Sequence, residues 1–333
     1  MRIGIFGLGA VGGYLGARLA AAGHSVSVVA RGPTLAALRS QGLVLKSAGA
    51  TIGGAVTASD NPLDLGSQDV VFSTAKATDP EGLARGLAPL LGPETPVVFA
   101  QNGIPWWYGH GLARGRPKPP DLAHLDPSGA LKAIGIERAI GAIIMYGSEM
   151  QEPGIAIDTN PKSNVLLIGE PGDQATSRIR ALRAALNGAG VGSPDVPDIR
   201  QAIWRKLMIN MSASIIALMT GNKLSSIPKD ARLAALYVRM AREAASIAVA
   251  HGIDMTGFDP ASWLPNAPNH TPSIRVDFER GRAMELDPIV LTPLDFARVA
   301  KIDTPSLDAV AALAVRHALD KGLLRERGRP NPH

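Results

Sequence analysis

The chain has 333 residues, which at roughly 150 residues per domain points to two domains. Its 46% hydrophobic and 19% charged residues exclude a disordered, collagen-like or fibrous chain. Its 0 cysteines exclude a disulfide scaffold, a Cys-ligated zinc or iron–sulfur site and a thiol nucleophile, and its net charge of +5 suits an anionic partner.

Residues 2–6 (Arg-Ile-Gly-Ile-Phe) predict a short buried strand, followed by a Gly-rich turn and a helix from about Ala10 to Ala22. A secretory leader is the competing reading of Ile3 to Ala22. Gly4, Gly7, Gly9, Gly12, Gly13 and Gly16, with Arg18 inside the run, argue against it. A second strand is expected at Val26 to Ala30, making a βαβ unit and hence a parallel sheet. Asp69 to Thr74 and Pro96 to Ala100 read as two more central parallel strands.

From Ile104 to Lys132 the character changes to Trp106-Trp107-Tyr108 and a Gly/Pro/Arg-rich segment, read as a long surface excursion of the first domain. Strands are expected again at Ala139 to Tyr146, Ile155 to Asp158 and Val165 to Ile168, then a helix from about Gln174 to Leu186. Beyond Asp198 the pattern is helical almost throughout. The fold class expected is therefore α/β: a parallel-sheet domain over 1–197, then an all-helical domain over 198–333.

Gly7-Leu8-Gly9-Ala10-Val11-Gly12 is a G-x-G-x-x-G run between a strand and a helix. There the first glycine permits the turn, the second lets a pyrophosphate approach, and the third lets helix pack on strand. The second strand ends in Arg31 where an NAD site usually has an acid, so a 2′-phosphate and hence NADP(H) is favoured. Lys76 and Asn102 follow two other strands, at the sheet edge where ligands bind.

In the apolar helix 202–218, Lys206, Asn210 and Ser214 recur at i, i+4 and i+8 and so share one face. Lining a cleft, Lys206 would lose hydration and become a proton donor near neutral pH; the bland alternative is a snorkelling lysine. Thr271-Pro272-Ser273 predicts a helix start with Thr271 as cap and Ser273 in the first turn, and Glu285 alone is indistinguishable from a surface acid. The seven histidines show no metal-ligand spacing, so no metal is expected.

Together these motifs resemble the ketopantoate reductase (2-dehydropantoate 2-reductase) family along nearly the whole chain. The residues that carry the likeness are the Gly7-Gly9-Gly12 fingerprint with Arg31, Ala75-Lys76-Ala77, Gln101-Asn102-Gly103, Trp204-Arg205-Lys206-Leu207 with Asn210, and Ser273 spaced from Glu285. The resemblance implies a Rossmann-type domain, a helical domain, and a site between them where NADPH reduces the C2 ketone of ketopantoate to pantoate, a step toward pantothenate. It implies that Lys206 protonates the developing alkoxide and that Asn102 and Asn210 orient substrate and nicotinamide. Ser273 would hold the carboxylate, while Glu285 would bind the substrate's polar end, touch the cofactor and fix Lys206. Gly7 to Gly12, Arg31 and Lys76 would bind the cofactor, with Ser214 lining the substrate side.

Ser214 stands where many members carry an asparagine, Pro288 where an Asn-Gly is common, and the excursion is longer than in compact members. These departures keep a bulkier 2-oxo acid as the rival substrate, and an idle NADP(H) sensor is the rival class. Few aromatics and one basic cluster, Lys321 to Arg329, read as a solvated tail, argue against nucleic acid. No membrane span is expected, the compartment expected is the cytoplasm, and the helical domain is apolar enough to support a homodimer.

Overall fold

The structure is a computed structural model and describes residues 1–325 and 327. The chain divides into two compact units, 1–101 with 126–199 and 102–125 with the residues from 200 onward. The first is the N-terminal parallel α/β domain and the second is helical.

In the first unit the strands are β1 (Arg2–Phe6), β2 (Ser25–Val29), β3 (Leu43–Ser47), β4 (Ala50–Gly54), β5 (Thr57–Ser59), β6 (Val70–Ser73), β7 (Val97–Phe99), β8 (Ala139–Tyr146), β9 (Ser148–Glu152), β10 (Ile155–Asp158) and β11 (Asn164–Gly169). The helices are α1 (Ala10–Ala21), α2 (Gly32–Gln41), α3 (Pro80–Leu87), α4 (Ala130–Ala133) and α5 (Ser177–Gly188). Seven strands form the main sheet in the order β11-β8-β7-β6-β1-β2-β5, parallel except for β11 against β8. The strand order reverses between β1 and β6, so the loops leaving their carboxyl ends lie side by side at a switch point. β6 and β7 are buried on both faces, which explains their unbroken apolar runs.

A second sheet, β4-β3-β10-β9, stands beside the one expected from the sequence. It packs against α1, which is thereby enclosed between two sheets. The glycines of α1 follow from that enclosure: a Cβ on Gly16 would come within 2.6 Å of Leu43 Cδ2, and one on Gly13 within 2.8 Å of Met150 Sδ. At these two positions the second sheet lies so close that a side chain has no room.

The second unit contains α6 (Ile199–Met211), α7 (Ala213–Thr220), α8 (Ala231–Ala250), α9 (Ser273–Glu279), α10 (Thr292–Ala300) and α11 (Pro305–Asp320). The stretch 199–220 is long and apolar enough to cross a membrane, but it is mostly buried inside the protein and broken at Ser212. The 202–218 helix expected from the sequence is therefore two helices. Ser212 leaves the helical region (φ −110°, ψ −80°) and its hydroxyl donates to the Met208 carbonyl, a local bond that competes with the helical ladder.

The excursion also departs from expectation, because 102–125 packs with the helical unit and only 126–132 stays with the sheet. The reason lies in Arg200, which is 0% exposed. Its guanidinium donates from Nε and Nη2 to the Tyr108 carbonyl at 3.1 and 2.8 Å, and from Nη2 to the His110 carbonyl at 2.5 Å. Trp204 donates its indole N–H to the Tyr108 hydroxyl at 2.8 Å, and Tyr108 packs edge-on against Phe296. Trp107 and Tyr108 are buried core residues, whereas Trp106 is half-buried.

Candidate functional site

In the sheet unit Gly7, Leu8 and Gly9 leave β1, and Ala10, Val11 and Gly12 form the first turn of α1. Gly7 is left-handed (φ +98°), and a Cβ there would lie 2.4 Å from the Ala75 nitrogen. A Cβ on Gly12 would meet the Gly7 carbonyl and Thr74 Oγ1, both at 2.6 Å. Gly9 would meet nothing within 4 Å, so its backbone is open to an approaching ligand. Each glycine thus shows the constraint the motif assigns it: turn, open approach and close packing.

Thr74, at the end of β6, fastens this loop by donating to the Gly7 carbonyl. Ser148 Oγ donates to the Ala10 carbonyl at 2.9 Å. Neither residue was singled out from the sequence, since it is the pairing of β6 with β1 and the packing of β9 on α1 that bring them to the glycine turn.

Arg31 precedes α2 as its N-cap residue and is exposed, and Lys76 leaves the neighbouring β6 loop. Together with Gly7, Leu8, Thr34 and Asp79 they line a cleft of about 450 Å³. The residues fit a dinucleotide phosphate: an open glycine and two cations. Thr34 is a further polar wall that the sequence reading missed, although Arg31-Gly32-Pro33-Thr34 carries a helix-start signal in Pro33.

The remaining candidates belong to the helical unit. Asn102 heads the excursion; Gly103 beside it is left-handed (φ +90°) and so close to Pro288 that a Cβ would lie 2.5 Å from the Pro288 carbonyl oxygen. Ile104 donates its N–H to the same carbonyl at 2.8 Å.

Lys206 and Asn210 lie one turn apart on α6 and are half-buried. Ser214 is 5% exposed and lies on α7, past the break, so it does not continue their stripe as one helix face. Desolvation lowers the Lys206 ammonium to about 8, opposed by the charge of Glu285. Glu285, which looked like a surface acid on its own, is buried.

Ser273 is exposed and is the first residue of α9. The cap is Pro272 and not Thr271, because Pro272 is extended (ψ 147°) while its carbonyl accepts the N–H groups of Arg275 and Val276.

Residues 3–111 match the family described as ketopantoate reductase PanE/ApbA, and residues 198–317 match its C-terminal domain. A 2-dehydropantoate 2-reductase from Mesorhizobium japonicum is 37% identical over 97% of this chain and 99% of that protein.

The chain belongs to the ketopantoate reductase family.

It is accordingly an oxidoreductase of a family that uses NAD(P)H. The crystal structure of a putative ketopantoate reductase from Ralstonia solanacearum is similar at 33% identity, with a TM-score of 0.87 over 97% of this chain and 99% of that one. D-mandelate dehydrogenase in complex with NADH and anilino(oxo)acetate shares the fold at 18% identity, with a TM-score of 0.78 over 97% of this chain and 100% of that one. So does a dimeric ketopantoate reductase from Staphylococcus aureus, at 16% identity and a TM-score of 0.73 over the same shares.

Proposed function

We propose that this protein catalyses the NADPH-dependent reduction of 2-dehydropantoate to pantoate. The observation that carries the reading is Lys206, an ammonium brought to about 8 by desolvation and paired electrostatically with the buried Glu285. Such a group is still mostly protonated at neutral pH yet gives up its proton readily, as reduction of a ketone to an alcohol requires.

NADPH, when bound, supplies the hydride. The chain's own residues do the rest: Gly7, Leu8, Gly9, Ala10, Val11 and Gly12 take the pyrophosphate, and Arg31 with Lys76 takes the phosphate charge. Lys206 holds the C2 oxygen and passes a proton to it, because a cation aimed at the oxygen where charge develops is the main electrostatic need of the step. Asn102 and Asn210 orient the reacting groups, Glu285 steadies Lys206 and the polar end of the substrate, and Ser273 donates to the carboxylate. An NADPH-consuming enzyme without cysteine suits the reducing cytoplasm, and a homodimer is the assembly we expect.

Oxidation of NADPH against a panel of 2-oxo acids tests the reading, with 2-dehydropantoate expected to give the highest kcat/KM. A second reading, a bulkier 2-oxo acid, is favoured by the short Ser214 side chain and by the fixed start of the excursion at Pro288, next to half-buried Trp106. A higher kcat/KM for an aromatic 2-oxo acid would select it. NADPH binding without turnover of any acid would leave only the sensor.

A further inference from the structure

The stretch carrying Glu285 is held by the C-terminal segment on both sides. Met284, just before it, donates its N–H to the Leu323 carbonyl at 2.8 Å. Two residues after it, Asp287 opens a π-helical turn, Asp287–Leu291, which leads into α10. The Asp287 carboxylate accepts from Arg327 Nη2 at 2.5 Å and Nε at 3.1 Å, while Arg327 Nη1 reaches Asp295 at 2.5 Å.

His124, near the far end of the excursion, joins the cluster. Its Nε2 lies 2.9 Å from Thr292 Oγ1 and 3.4 Å from Asp287, and Thr292 donates to Asp287 at 3.0 Å. The tail read from sequence as solvated is therefore engaged at Arg327; residues 326, 328 and 329 of it lie outside the described residues.

The same end of the chain also grips α9. Lys321 Nζ lies 4.1 Å above the Phe278 ring, and the His317 ring packs edge-on to Phe278 at 4.4 Å. Phe278 is on the helix that begins with Ser273.

A π-helical turn is a departure from the regular ladder that recurs at functional sites, and here side chains from two other segments brace it. Burial alone would raise the Asp287 carboxyl, but the hydrogen bonds from His124 and Arg327 outweigh it and bring it down to about 2. The brace is therefore charged throughout the neutral range.

We propose that Arg327 is a positioning residue: by gripping Asp287 and Asp295 it holds the Met284–Asp287 stretch so that the Glu285 carboxylate stays within electrostatic reach of Lys206. The inference rests on the reading of Lys206 as proton donor, and its test lets the two fail separately.

The test is the rate at which an amine-reactive reagent labels Lys206 at pH 7, followed by mass spectrometry in wild type, Arg327→Ala and Arg327→Lys, with kcat and KM measured alongside. An ammonium near 8 leaves about a tenth of the lysine neutral and reactive at pH 7. Loosening Glu285 removes the charge that keeps Lys206 protonated, so labelling in Arg327→Ala should be about 3–5-fold faster. Turnover should fall about tenfold, since misplacing a positioned group lowers kcat. Arg327→Lys, which keeps the charge but not the fork, should recover part of both.

If Arg327→Ala does not fold, Asp295→Asn removes one of the two carboxylates holding Arg327 and should shift labelling in the same direction, about 2-fold. Labelling of Lys206 at the wild-type rate overturns the proposal whatever the turnover. Absence of turnover by wild type with every 2-oxo acid overturns the reductase reading instead, and the labelling comparison still decides the role of Arg327.

Discussion

The environments of Lys206, desolvated beside Glu285, and of Arg31, exposed on the cleft wall, each set what its replacement does. Lys206→Ala should lower kcat by about 10²–10⁴ while calorimetry finds NADPH affinity unchanged, because the proposed role of the lysine is at the ketone and not at the cofactor phosphates. The donor works only when protonated, so in wild type kcat/KM, which follows the free enzyme, should be level below about pH 8 and fall as pH rises through that value. Near wild-type turnover in the variant, or a flat profile to pH 9, would remove Lys206 from the chemistry.

Arg31, exposed on the cleft wall at the start of α2, should give a preference for NADPH over NADH of about tenfold to hundredfold. One charge-assisted contact to a phosphate is worth roughly 1.5–3 kcal/mol. Arg31→Ala should bring the two kcat/KM values together, and an unchanged ratio would assign the selectivity elsewhere.

For the individual elements, the excursion 102–125 is the part whose role the structure changes most. Its aromatic start is an anchor: Trp107 and Tyr108 are each 2% exposed, with the buried Arg200 guanidinium 5.9 and 5.2 Å from their rings. Replacing Trp107 with alanine should cost about 3–5 kcal/mol of unfolding free energy, the usual scale for emptying a buried aromatic site. The ranking of 2-oxo acids should stay as in wild type; a changed ranking in a stable variant would make Trp107 part of the substrate site. The two ends of the excursion, Ile104 and His124, are both tied to the turn around Asp287, Pro288 and Thr292. Pro288 is thus the seat on which the excursion starts, and its missing N–H costs nothing at the opening of a helical segment.

Taken as a whole, the molecule separates its candidate chemistry by unit, with dinucleotide residues on the parallel sheet and proton-donor and carboxylate-binding residues on the helices. A ligand that binds only the folded protein stabilises it by mass action, by about 2.7 kcal/mol at a hundredfold excess over Kd. NADPH should therefore raise Tm clearly, and more than NADH at equal concentration. The same measurement on Arg31→Ala should show equal rises. Equal rises in wild type would contradict the expected phosphate contact without touching the fold.

The sequence by itself determined the elements whose signal is local. The β1–glycine turn–α1 unit was legible because buried parallel strands read as apolar runs and a phosphate turn needs glycines at fixed offsets. Strand ends brought out Lys76 and Asn102 and a helical stripe Lys206 and Asn210, whereas Ser273 and Glu285 took their roles from the family resemblance, which the matched family bears out. Only the tertiary structure decided what depends on partners distant in sequence. It added the second sheet that encloses α1, the helix break at Ser212, the burial of Glu285 and the anchoring of the excursion by Arg200. It also turned part of a basic tail into a brace for Asp287. Local propensity reports what a segment prefers alone, whereas burial, desolvation and long-range hydrogen bonds belong to pairs of segments and exist only once the chain has folded.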